Sequence, residues 1–177
     1  FKVLELINYR WSGNLYHLAY EIVNLPGNVT MSSRDGTIVL LDDLIRESTQ
    51  RALEIVHQKN PDLQEELKLE IARDVAIGAI KYPMLARENT KVVTFDWQTA
   101  LDFNGQSAPY IQYAHVRAGS ILRKAGIEAS FDVRFSADLE PTEINLVELL
   151  SKLPAEVLRA ARELKPSYLA TYAYDLA

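Results

Sequence analysis

The chain has 177 residues, 48% of them hydrophobic, with 19 Lys and Arg against 24 Asp and Glu and a formal charge of −5. That length can bury a core in one domain or two small ones, and the acidic balance confines any nucleic-acid contact to a local patch. The lack of cysteine excludes disulfides, Cys-ligated zinc and thiol catalysis, and fits a cytoplasmic protein.

The first residues, Phe1-Lys2-Val3-Leu4-Glu5-Leu6-Ile7, alternate charged and apolar side chains, unlike a secretory signal. No apolar run reaches the roughly 18 residues of a membrane span. The chain starts without Met and stops within a helical pattern, so we expect a piece of a longer protein. From Leu15 to Leu25 the residues are aromatic and β-branched, predicting a strand closed by Pro26-Gly27-Asn28. A polar stretch, Asn28 to Asp35, follows, and Gly36 to Leu41 predicts a second short strand. Asp42 or Asp43 is the expected cap of a helix carrying Leu44, Ile45, Ala52, Leu53 and Val56 at helical spacing. Asn60-Pro61 predicts the next helix start, with Leu63, Leu67, Ile71, Val75 and Gly78 as its apolar stripe and Pro83 as its end. A third strand is expected over Lys91–Trp97, then a loop with Asn104-Gly105 as a turn. Beyond it the pattern is helical: Pro109–Ala125, Glu143–Leu153, Pro154–Leu164, and a helix from Ser167 onward.

On the helix from Pro109, Tyr110, Tyr113, Arg117 and Lys124 fall on one face, with Gln112, His115 and Gly119 on an adjacent stripe. Aromatics interleaved with cations can stack bases and grip phosphates. The same pattern also suits a bundle helix with core tyrosines and solvated cations. His17, His57 and His115 lie on separate elements without metal-ligand spacing, so no metal site is expected. Asp42-Asp43 and Glu65-Glu66 suit helix starts, where the dipole favours anions. In Met31-Ser32-Ser33-Arg34-Asp35-Gly36, hydroxyls, one cation and a glycine offer chemistry for a polyphosphate, although Asp35 opposes it. From composition alone a hairpin turn fits that loop as well.

Together these segments resemble arginyl-tRNA synthetases. "LYHLAYEIVNLPGNVTMSSRDGTIVLLDDL" is similar to that family's signature-loop region, L-x-Y-x-M/I-V-x-L-P-x-x-K-M-S-S-R-K-G-x-V-V-x-x-D-D-L. "IKYPMLARENTKVVTFDWQTALDFNGQSAPYIQYAHVR" resembles the run V-K-Y, F-D-W, G-N-T-x-P-Y-x-Q-Y-A-H-x-R, and "PSYLATYAYDLA" a later helix. The resemblance implies a mostly α chain: the C-terminal edge of a Rossmann-like α/β catalytic domain over residues 1–104, then a truncated helical-bundle anticodon-binding domain over 105–177. It implies a ligase that joins arginine to tRNA(Arg) through an adenylate made from ATP, with Mg2+ accompanying the ATP. No membrane or DNA partner is implied. Met31, Ser32, Ser33, Arg34 and Gly36 would bind the nucleotide, with Ser32, Ser33 and Arg34 assisting the chemistry. Tyr110, Gln112, Tyr113, Arg117 and Lys124 become candidates for tRNA contact.

Two departures weaken the loop: the family's two lysines are Thr30 and Asp35 here, which removes two cations and adds an anion. The family's upstream His-x-Gly-His motif is absent from these residues. We therefore expect this chain to be inactive alone while retaining weak, salt-sensitive tRNA affinity. A stand-alone, non-catalytic module that binds tRNA or a protein partner is the alternative, and a purely structural helical domain a third reading.

Overall fold

The computed structural model describes residues 1–27, 29–30, 38–126, 128, 130 and 138–177. It is mostly helical, with a short sheet at one side. Helix α1 (Lys2–Leu6) and a 3-10 turn (Arg10–Asn14) pack on each other and lead to β1 (Val23–Leu25) and β2 (Val29–Thr30). Two long helices follow, α2 (Leu41–Lys59) and α3 (Glu65–Leu85), then β3 (Val93–Thr94) and the single turn α4 (Trp97–Ala100). The remainder is α5 (Ala108–Ala125), α6 (Pro141–Ser151), α7 (Leu153–Glu163) and α8 (Ser167–Leu176).

The sheet order is β2-β1-β3. β1 pairs antiparallel with β2, Asn24 opposite Thr30, and parallel with β3, Val23 opposite Val93. A parallel pair needs a crossover connection, and α2 with α3 supplies it. The expected strand over Leu15–Leu25 is thus only three residues long. Residues 15–22 form no regular strand, and Tyr16 and Tyr20 are exposed, because a strand needs a ladder partner as well as β-prone side chains. Of the second expected strand, Gly36 to Leu41, residues 36–37 lie outside the described residues; residues 38–40 form no strand and Leu41 already opens α2.

The five residues after α2 fold α3 back against it. Ser48, Ala52 and Val56 on α2, at i, i+4 and i+8, meet Ala72, Val75, Ala76 and Ala79 on α3. Small side chains let the two backbones approach, and Ile80, Phe95, Ala100 and Leu101 close the core at the sheet end. The expected stripe on α3 is displaced: Leu67 is exposed, and alanines carry the buried face. Hydrophobicity alone points to the larger residue, whereas close helix packing selects the smaller one.

Helix boundaries moved for local reasons. Leu40 and Gln64 stand at the N-caps of α2 and α3, with Asp42, Asp43, Glu65 and Glu66 inside the first turns, where the dipole favours them. Asn60 ends α2 instead of opening α3. Lys68, only 5% exposed, explains the delay: its Nζ donates to Pro61 O at 2.8 Å and to Glu65 Oε1 at 2.8 Å, tying the connection to α3. His57 Nε2 lies 3.1 Å from the other Glu65 oxygen. Pro83 sits inside the last turn of α3, where the missing N–H forfeits only one bond, and the helix continues to Leu85.

α3 is the hub. It packs against α2 and α4, and also against α5 and α8. α6 and α7 pack on each other and on α8.

Candidate nucleic-acid interface

The approach to α5 is built by short polar contacts. Phe95-Asp96-Trp97 serves three structural ends. Phe95 is buried in the core. Asp96 caps α4 by accepting from Thr99 N at 3.1 Å and Thr99 Oγ1 at 2.8 Å, and those bonds hold its carboxyl below the usual aspartate range. Trp97 meets Phe95 edge-on at 4.9 Å and carries the Arg51 guanidinium 5.1 Å from its ring centre. Ser107, 1% exposed, caps α5: its hydroxyl donates to Asp102 O and accepts from Tyr110 N at 3.4 Å. Pro109 occupies the first turn, and Gly126 at φ 64° ends the helix.

Gly78 sets the distance between α3 and α5. A Cβ there would stand 2.9 Å from Ala108 Cβ and 3.1 Å from Gln112 Nε2. Gln112 reaches across this contact, and its Nε2 donates to Asp74 O at 3.1 Å. Its Oε1 is buried and meets no hydrogen-bond partner among the described residues.

The five candidate residues of α5 therefore separate. Tyr110 packs on α8, its ring centre 5.3 Å from that of Tyr174. Gln112 is engaged with α3. Tyr113 is 52% exposed, and the Arg117 guanidinium lies 5.7 Å from its ring centre. Lys124 is exposed in the last turn beside Arg123, favoured there by the helix dipole. The open part of the face is an aromatic ring with a neighbouring cation, an arrangement able to stack a base while attracting a phosphate.

Met31, Ser32, Ser33, Arg34, Asp35 and Gly36 lie outside the described residues. Thr30 pairs through its backbone with Asn24 on β1. The Oδ1 of Asn24 is buried there and meets no hydrogen-bond partner among the described residues. Among the described residues no group of three or more acidic or histidine side chains is placed to hold a metal ion, and no helix is long and apolar enough to cross a membrane.

The sequence did not reveal a second aromatic–cation cluster, between α7 and α8. Arg159 lies 3.8 Å from the ring centre of Tyr168 and Lys165 5.9 Å from it. The Tyr168 hydroxyl donates to Glu163 and holds that carboxyl below its usual range. The residues straddle a helix break at Leu164, which adopts φ 54°, so no periodicity links them.

Residues 1–97 match the family model of the class I tRNA synthetases (R), catalytic domain, and residues 111–177 that of the DALR anticodon binding domain. With more than half its length inside the first match, the chain belongs to the class I arginyl-tRNA synthetase family. It is 46% identical over 169 residues to the arginine–tRNA ligase of Pyrococcus abyssi, covering 93% of this chain and 27% of that protein. It is 37% identical to that of Clostridium botulinum, over 100% of this chain and 31% of the relative. The solved Thermus thermophilus arginyl-tRNA synthetase superposes with a TM-score of 0.84 at 43% identity, over 98% of this chain and 28% of that one. The chain thus spans less than a third of the length of these relatives. Nothing in the comparisons favours a stand-alone binding module.

Proposed function

We propose that this chain is the part of an arginine–tRNA ligase that joins the catalytic domain to the anticodon-binding helices, with the division at residues 104/105. The full-length enzyme would attach arginine to tRNA(Arg) by way of an adenylate formed from ATP, in the cytoplasm. Met31, Ser32, Ser33, Arg34 and Gly36 would close on ATP, with Ser32, Ser33 and Arg34 steadying its departing pyrophosphate. Mg2+ would accompany the nucleotide. With Thr30 and Asp35 where the family has lysines, the loop brings less positive charge to that task, and activation should be slower unless other residues compensate.

The tRNA contact falls to α5. The observation that supports it is the exposed Tyr113–Arg117 pair on a helix whose other side is anchored to α3 and α8. Lys124 would add phosphate attraction at the far end. Tyr110 and Gln112 would act from behind, by holding the helix in place.

The test is binding of an arginine tRNA transcript across a salt series. We expect weak binding that falls with salt, and a loss of about tenfold in Arg117→Ala at a stacked or phosphate contact. Arg34→Ala should bind the transcript as the parent does. Absence of binding at low salt would refute the assignment of α5 as an RNA surface in this chain.

A further inference from the structure

A cleft of about 390 Å3 opens between the turn after α3 and the beginning of α8. Its walls are Ala86, Arg87, Glu88 and Lys91 on one side and Ser167, Tyr168 and Thr171 on the other. The side opposite Arg87 is polar and partly prepared. Ser167 is only 8% exposed, yet its hydroxyl meets no hydrogen-bond partner among the described residues. It occupies the first position of a ten-residue helix whose next three N–H groups already donate to Lys165 O and Pro166 O, so the donor this wall offers is the Ser167 hydroxyl. Thr171 adds a second hydroxyl one turn further on.

The charge around this opening is positive. Arg87 has no carboxylate partner among the described residues; its Nη1 donates only to Val92 O, at 3.4 Å. Lys91 stands 4.0 Å from Glu88, a loose pair. Beside the cleft, Arg159 and Lys165 flank Tyr168, paired with Glu163 and, for Arg159, also with Glu156 at 3.9 Å. Four cations, Arg87, Lys91, Arg159 and Lys165, stand against three carboxylates, Glu88, Glu156 and Glu163, in a chain whose overall charge is −5. The cleft edge is also braced: Asn89 Nδ2 donates to Leu164 O at 3.3 Å, linking the turn after α3 to the end of α7.

We infer that this cleft holds a phosphate of an RNA backbone, gripped by Arg87 and Lys91 from one wall and by the Ser167 hydroxyl from the other. The inference rests on the reading of the chain as a tRNA-binding one, and adds a contact away from α5. Its consequence is mechanical. One wall belongs to the segment matched by the synthetase catalytic domain and the other to the segment matched by the anticodon-binding domain. A phosphate bound between them clamps the two segments in one relative position. A polyanion suits the site because Arg87 and Lys91 on one wall stand opposite the hydroxyls of Ser167 and Thr171 on the other, whereas an apolar ligand would leave Ser167 and Arg87 unsatisfied.

The experiment is a salt series of tRNA-transcript binding to the 177-residue chain and to Arg87→Ala, Lys91→Ala and Ser167→Ala, with Arg117→Ala alongside. Arg87→Ala and Lys91→Ala should each weaken binding about three- to tenfold and reduce the slope of log K against log salt by about 1. Ser167→Ala should weaken binding without changing that slope, since it removes a donor and no charge. Circular dichroism and thermal melting of each variant separate lost contacts from lost folding. Parent-like affinity and slope in both cation variants, while Arg117→Ala binds poorly, would overturn the cleft and leave the α5 reading intact. No binding by the parent chain at low salt would overturn both.

Discussion

Helices α3 and α6 make an instructive pair. Both were legible from apolar spacing, yet α3 buries seven side chains and α6 none among the described residues. α3 packs against α2, α4, α5 and α8, and its alanines at 72, 76 and 79 are at most 1% exposed. α6 packs on α7 and α8, and leaves Ile144, Leu146 and Leu150 between 43% and 49% exposed. Amphipathic spacing therefore predicts that a helix forms, and the number of neighbours decides how much burial stabilises it. The helix with the weaker apolar pattern is the better packed one, because close packing rewards small residues that contribute little to a stripe.

Truncations at the two places should differ most. Phe95→Ala empties a site 2% exposed beneath α3, and should cost about 3–5 kcal/mol. Leu150→Ala on α6, from a side chain already 48% exposed, should cost less than about 1 kcal/mol. Urea unfolding of both variants gives the two values directly, and equal losses would mean that α6 is covered as fully as α3 in solution.

Glycines sharpen the same contrast on a smaller scale. Gly78→Val drives a side chain into Ala108 and Gln112, and should destabilise by about 1–3 kcal/mol through overpacking. Gly119→Ala on α5 meets nothing closer than the flexible end of Arg123 at 3.5 Å, so the helix propensity of alanine should raise stability by up to about 1 kcal/mol. Thermal melting that shows both substitutions moving in one direction would contradict the close approach of α3 to α5.

The smallest effect concerns acid. Hydrogen bonding to Lys68, reinforced by His57, holds the Glu65 carboxyl below its ordinary value against the opposing pull of desolvation. A carboxyl with a depressed folded pKa contributes stability that is fully present above its unfolded value and is lost as pH falls through the folded one. Glu65→Gln should therefore narrow the gap between the melting temperatures measured near neutrality and below the usual glutamate range. A gap as wide as in the parent would assign the acid loss elsewhere, with Asp96 and Glu163 as the other lowered carboxyls.

The sequence by itself determined the helices and the family. The helices α2, α3, α5, α6, α7 and α8 follow from spacing, caps and breakers, all local properties, and their ends moved by a few residues where a distant partner such as Lys68 intervened. The order of motifs around Met31-Ser32-Ser33-Arg34 and Pro109 to Arg117 carried the resemblance that the matched relatives bear out. Tertiary structure decided the rest. It cut the long expected strand to Val23–Leu25, because a ladder exists only where another backbone runs alongside. It divided one helical face into Tyr110 and Gln112, which pack, and Tyr113 and Arg117, which face solvent, because that division depends on where α3 and α8 stand. It also brought Arg87 within one cleft of Ser167, eighty positions away, a proximity with no trace in any local pattern because only the folding of α8 onto the end of α3 creates it.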